Sequence, residues 1–180
     1  MKITVKDLSY MAAYLALFAI LDYLSNIIPI FKMPLGGTLG MGTIVLLLAS
    51  YQLGWRKALI VCCGAILLQF ITGQMYIYHP LQFLLDYGWA FLIYGLALVF
   101  PGYSGIVVTN TIRLLCHFIS GFVFFAEYAG EQGAVLYSLL YNSSYMLPTM
   151  LLGLLLVPLI DKKLRTNRQR MTQPTNHNEN

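Results

Sequence analysis

From residue 8 to residue 160 the chain is a succession of apolar runs, separated only by short stretches of Gly, Pro and polar side chains. A bilayer core takes about 20 apolar residues per helix, so this pattern predicts membrane-spanning helices and leaves no room for a soluble domain. Composition agrees. The 180 residues are 58% hydrophobic and 10% charged with a mean hydropathy of +0.69, whereas soluble domains are about a quarter charged. The expected architecture is an all-α integral membrane protein of about six transmembrane helices, a multi-pass protein of the cell membrane. The spans are placed near residues 8–30, 38–53, 58–72, 81–101, 106–125 and 134–160. One membrane domain then covers residues 1–160, and the polar stretch 161–180, rich in Asn, Gln and Thr, is expected to be a disordered tail.

Lys and Arg orient the bundle. Lys2, Lys6, Arg56, Lys57 and the cluster Lys162, Lys163, Arg165, Arg168 and Arg170 fall on one side of such a bundle, and Lys32 alone falls in a loop on the other. The positive-inside rule makes the first side, with both termini, cytoplasmic. The loops 31–37, 73–79 and 126–133 then face outward. The lysines before the first span resemble the start of a signal peptide, but no clear cleavage site follows, so that span is expected to stay in the membrane. The basic tail is a topological determinant or a contact for anionic lipid.

Within this apolar frame one acid stands out. In the stretch Tyr76-Ile77-Tyr78-His79-Pro80-Leu81-Gln82-Phe83-Leu84-Leu85-Asp86-Tyr87, Gln82 and Asp86 are four apart and share one helix face, and Pro80 suits the first helical turn. A carboxylate facing hydrocarbon costs several kcal/mol, so Asp86 is expected to face the protein interior or a wet cavity. Steps of three and four set Arg113, His117, Gly121, Phe124 and Tyr128 along one stripe, and the last span carries Tyr137, Ser138, Tyr141 and Asn142. Asp86, His117, Tyr137 and Asn142 all come from the outer halves of the last three spans. A carboxylate near Tyr76, Tyr87, Phe125 and Tyr137 suits a flat cation, and His117 and Asn142 supply donors and acceptors for a heteroaromatic ring. The plainer alternatives remain open at this point: Arg113 paired with Asp86 for stability, polar side chains gluing helices, and aromatics of the core or the interfacial belt.

Other chemistries find less support. The three cysteines, Cys62, Cys63 and Cys116, lie in apolar runs without metal-ligand spacing; no cofactor, metal or nucleic-acid partner is implied. There is no Walker A or HExxH pattern, so the energy for any transport has to come from a partner or an ion gradient. Gly102-Tyr103-Ser104-Gly105 resembles the GxSG motif of intramembrane serine hydrolases, which makes Ser104 the one catalytic alternative. His117 lies 13 residues on, about 20 Å along a helix, too far for direct proton transfer.

Four blocks together resemble the thiamine-specific substrate-binding (S) components of energy-coupling factor (ECF) transporters, the ThiT/YuaJ family. They are Met33-Pro34-Leu35-Gly36-Gly37, Leu81-Gln82 with Leu85-Asp86-Tyr87, His117-Phe118-Ile119-Ser120-Gly121, and Tyr137-Ser138-Leu139-Leu140-Tyr141-Asn142. The resemblance implies six helices and a thiamine pocket near the outer surface. It also implies partners that this chain lacks, a transmembrane coupling protein and two ATPase subunits. Carried over by position, the substrate-binding set is Tyr76, Asp86, Tyr87, Arg113, His117, Gly121, Phe125, Tyr137 and Asn142. Some members have Glu, Lys and Trp where Asp86, Arg113 and Phe125 stand. The family's small-residue motif for the membrane partner matches Ser9 and Ala13, with Ala12 and Ala16 as the neighbouring register.

Overall fold

The computed structural model describes residues 3–33 and 37–172, apart from the side chains of residues 168 and 170–172. Six helical stretches follow one another: α1 (Val5–Ile27), α2 (Met41–Leu53), α3 (Trp55–Ile71), α4 (Pro80–Val99), α5 (Ser104–Phe124) and α6 (Ala134–Thr172). Short 3₁₀ turns, Pro29–Phe31 and Ala126–Gln132, lie between them. Among the described residues β-pairing is limited to one antiparallel bridge, Lys32 with Thr38. By length and composition α1, α4, α5 and α6 up to Asn167 are able to cross a membrane.

The shortest of these helices holds the centre. The sequence of α2 is apolar on every side, and such a helix belongs inside a bundle; residues from Gly42 to Tyr51 are all buried. It packs against α1, α3, α4 and α6, while α5 packs on α4 and α6. A single residue, Gly54 at φ +84°, turns α2 into α3, a conformation open to Gly because it has no Cβ. The start of α1 is closed by a capping box in which Thr4 and Asp7 each accept the other's backbone N–H. Lys57 at the start of α3 pairs with Asp7.

Helix α4 is irregular. Its backbone widens into a π-helical turn over Leu84–Trp89 and tightens to 3₁₀ over Ile93–Val99. In a dry interior the groups freed by such a break need partners. Ser50 of α2 supplies them, donating to the Gly95 carbonyl at 2.9 Å and accepting the Leu98 N–H at 3.1 Å.

The first helix ends at Ile27 rather than at residue 30, where Ile28 turns extended ahead of Pro29. The larger correction concerns the tail. Helix α6 continues past residue 160 to Thr172, so residues 161–172 are helical rather than disordered; residues 173–180 lie outside the described residues. Asp161 explains the continuation. It is buried at 1% exposure, accepts from Tyr103 and Arg165 at 2.9 Å each, and accepts from Gln52. Arg165 also donates to the Tyr51 carbonyl at 3.0 Å. The Tyr103 phenol, in the turn before α5, is pushed above its ordinary range, first by burial and then by Asp161, which keeps it a donor. The chain therefore has two polar ends: this clamp with the Lys57–Asp7 pair at one, and at the other the far ends of α1, α3 and α5 with the starts of α2, α4 and α6.

Candidate functional site

At that second end residues of all six helices line a cavity that opens to the outside. Every residue of the expected set lines it: Tyr76, Asp86, Tyr87, Arg113, His117, Gly121, Phe125, Tyr137 and Asn142.

Asp86 sits in the π-helical turn of α4, 8% exposed. One carboxylate oxygen, Oδ2, accepts from Gln82 Nε2 at 2.7 Å and from Ser120 Oγ at 2.8 Å. The other, Oδ1, faces His117 Nδ1 at 2.9 Å. The four-residue spacing of Gln82 and Asp86 thus acts as expected. A carboxylate has about four acceptor positions, so three donors leave room for roughly one more. Gln82 is also the staple of the loop above: its Nε2 donates to the Tyr76 carbonyl and its Oε1 accepts the Tyr78 N–H, both at 3.0 Å. Tyr87 finishes the attachment by accepting the Tyr76 N–H at 2.8 Å. The loop in turn brings Tyr76 and Tyr78 to Phe125, ring centroids 6.0 and 6.4 Å apart.

Arg113 does not pair with Asp86. Its Nε donates to His117 Nε2 at 3.1 Å, and its guanidinium lies over the rings of Phe91 at 4.7 Å and Tyr94 at 5.5 Å. Arg carries donors only, so His117 Nε2 must be the acceptor and Nδ1 must carry the proton toward Asp86. The histidine is therefore held neutral in one tautomer, and the negative charge of Asp86 stays available to the cavity. The aromatic rings around Arg113 offset part of the cost of burying it.

Asn142 lines the cavity and is bonded within the protein as well. Its Nδ2 donates to the carbonyls of His117 at 3.2 Å and Ser138 at 2.9 Å, and its Oδ1 accepts from Tyr145 at 2.7 Å. Most of its capacity goes into tying α5 to α6. Gly121 permits that approach, because a Cβ there would overlap Ser138 Oγ and come within 3.1 Å of Asn142 Nδ2. Tyr137 stacks on Tyr141 at 5.8 Å, and Tyr141 accepts the Gly37 N–H at 3.0 Å, fastening Gly37 against α6.

Several cavity residues were not in the expected set. Ser120 lies one turn beyond His117, a spacing that marks it as a neighbour on the same face. Asp22 of α1 is buried on the cavity wall with Gln69 of α3; the signal is the same one that singled out Asp86, an acid in an apolar run. Among the described residues no group of His, Cys, Asp and Glu is placed to hold a metal ion.

Ser104 is at the opposite end of α5 from His117, exposed, with its hydroxyl donated to the Pro101 carbonyl at 2.7 Å. It caps a turn and meets no base, so the hydrolase alternative is not favoured. Ser9 and Ala13 lie on the outer surface of α1, as do Ala12 and Ala16.

Comparison with known proteins gives the chain a family. Over residues 8–168 the chain matches the family described as Thiamine transporter protein (Thia_YuaJ). It is 30% identical over 152 residues to Thiamine transporter ThiT of Bacillus subtilis (strain 168), an alignment that covers 74% of this chain and 78% of that one. A solved structure of ThiT from Listeria monocytogenes has the same fold, with a TM-score of 0.74 at 21% identity, covering 92% of this chain and 96% of the other. With apolar helices able to span a bilayer and a family match over nearly its whole described length, the chain is a membrane protein of the Thiamine transporter protein (Thia_YuaJ) family, with a transport rather than an enzymatic role.

Proposed function

We propose that this chain is the thiamine-binding S subunit of an importer of the ECF type. It crosses the cell membrane six times with both termini in the cytoplasm, takes thiamine at the outer face, and delivers it with a separate module made of a transmembrane coupling protein and two ATPase subunits. The observation that carries the reading is the buried carboxylate of Asp86 in a cavity walled by Tyr76, Tyr87, Phe125 and Tyr137. Thiamine is a flat cation, and it gains there from one opposite charge and several ring faces. His117 presents its ring to the cavity and keeps Asp86 in place, Arg113 positions His117, and Gly121 with Asn142 holds together two of the helices that line it. The exposed small residues Ser9 and Ala13 on α1 are the contact for the coupling protein, since small side chains let another helix approach closely. The concentration of Arg56, Lys57, Lys162, Lys163 and Arg165 at the end away from the cavity supports the orientation.

The test is a calorimetric titration of the purified full chain in detergent. Saturable one-to-one binding of thiamine is expected; absence of heat at high micromolar thiamine overturns the reading. Trp89 is not a suitable reporter, because it is 62% exposed on the outside of α4 and does not line the cavity.

A further inference from the structure

The cavity holds a second carboxylate that the role of Asp86 does not explain. Asp22 of α1 is 6% exposed and Gln69 of α3 is 7% exposed, and both line the cavity. Gln69 Nε2 donates to Asp22 Oδ2 at 2.9 Å. That bond settles the orientation of the amide, since the reverse would set two acceptors against each other. It leaves Gln69 Oε1 as a buried acceptor without a partner, an arrangement that is costly unless something fills it. Asp22 is less provided for than Asp86: the hydrogen bond described at its side chain is the one from Gln69, against three at Asp86. At this pair the capacity left over is therefore acceptor capacity.

We propose that Asp22 and Gln69 form a second ligand anchor, which accepts a hydrogen bond from a hydroxyl on the ligand's side arm and so admits the free alcohol while rejecting its phosphate ester. The proposal rests on the thiamine reading above. Thiamine ends in a primary alcohol, whose O–H donates to Asp22 or to the orphan Gln69 Oε1 once the ring system occupies the aromatic wall. Phosphorylation replaces that donor with anionic oxygens that only accept, facing a carboxylate and an unpaired carbonyl. The penalty falls on the wrong ligand through repulsion and unsatisfied acceptors, which is how discrimination against a close analogue is obtained.

The experiment is a calorimetric titration of the full chain with thiamine and with thiamine monophosphate, for the wild type, Asp22→Asn and Gln69→Leu. The wild type is expected to bind thiamine at least about tenfold tighter than the monophosphate. Asp22→Asn is expected to weaken thiamine by about tenfold and leave the monophosphate unchanged or tighter, so that the preference collapses. Gln69→Leu narrows it in the same direction, and it carries the test if Asp22→Asn elutes as an aggregate. A preference that both variants preserve, or a wild type that binds the ester as tightly as the alcohol because Arg113 attracts it, overturns the second anchor and leaves the thiamine reading standing. A wild type that binds neither ligand overturns both.

Discussion

His117 Nδ1 lies 2.9 Å from Asp86 Oδ1 and supplies it with a hydrogen bond rather than a positive charge. The reason is Arg113, whose Nε occupies the other ring nitrogen from 3.1 Å and forces it to accept. The chain thus buries an acid, satisfies it with three neutral donors, and leaves its charge for whatever enters the cavity.

Replacing that charge is the most direct test. Asp86→Asn keeps the shape and loses the counter-charge, at a cost of about 2 kcal/mol for a hydrogen bond or contact to a charged partner, or roughly 30-fold in affinity. Calorimetry on the purified variant measures it. A dissociation constant within about twofold of wild type would mean that Asp86 is a structural acid only.

Arg113→Met removes the donor that orients His117 while keeping apolar volume against Phe91. Thiamine binding is expected to weaken by about tenfold. Nitrogen chemical shifts of labelled histidine should show the Nδ1–H tautomer of His117 in the wild type and mixed tautomers in the variant. An unchanged tautomer would show that Asp86 alone orients the ring.

Gly121→Val tests the crossing of α5 and α6. The added carbons meet Ser138 and Asn142, and overpacking of this kind costs about 2 kcal/mol. A lower apparent melting temperature and weaker binding are expected together, because the same crossing lines the cavity. A variant as stable as wild type would mean that α6 moves aside freely.

Asp161→Ala should separate stability from binding. It removes the buried acceptor shared by Tyr103, Gln52 and Arg165 at the end of the molecule away from the cavity, and losing hydrogen bonds to a charged group costs about 2 kcal/mol. The melting temperature is expected to fall with thiamine affinity unchanged. Loss of affinity would reveal coupling between the two ends.

Ala13→Trp addresses the proposed contact with the coupling protein. Ala13 is exposed on α1 and remote from the cavity lining, so binding to the isolated chain is expected to persist. Uptake by cells that carry the whole importer should be lost. Normal uptake would place the interface elsewhere.

Much of this was legible beforehand because lipid makes sequence signals loud. An apolar run of membrane length allows little but a helix, and an acid such as Asp86 within one has to be turned inward; the helices, and a cavity at the end where Asp86, His117, Tyr137 and Asn142 meet, follow from that cost alone. The four-residue spacings of Gln82 with Asp86 and of Arg113 with His117 also translated directly into hydrogen bonds, since neighbours on one helix face meet whatever the rest of the fold does.

Contacts between helices were a different matter. Only the tertiary structure decided that Arg113 serves His117 rather than Asp86, that Asn142 expends itself on α5, that Ser120 completes the carboxylate's partners, and that Asp161 holds a helix together where composition pointed to a loose tail. The π-helical turn at Asp86 likewise has no one-residue signature, and Ser50, which satisfies the broken backbone of α4 further along, comes from a helix some 45 residues away in sequence. Periodicity reports which face of a helix a residue occupies. It carries no information on which other helix that face will meet, and hydrogen-bond partners, unlike burial, are a property of the pair.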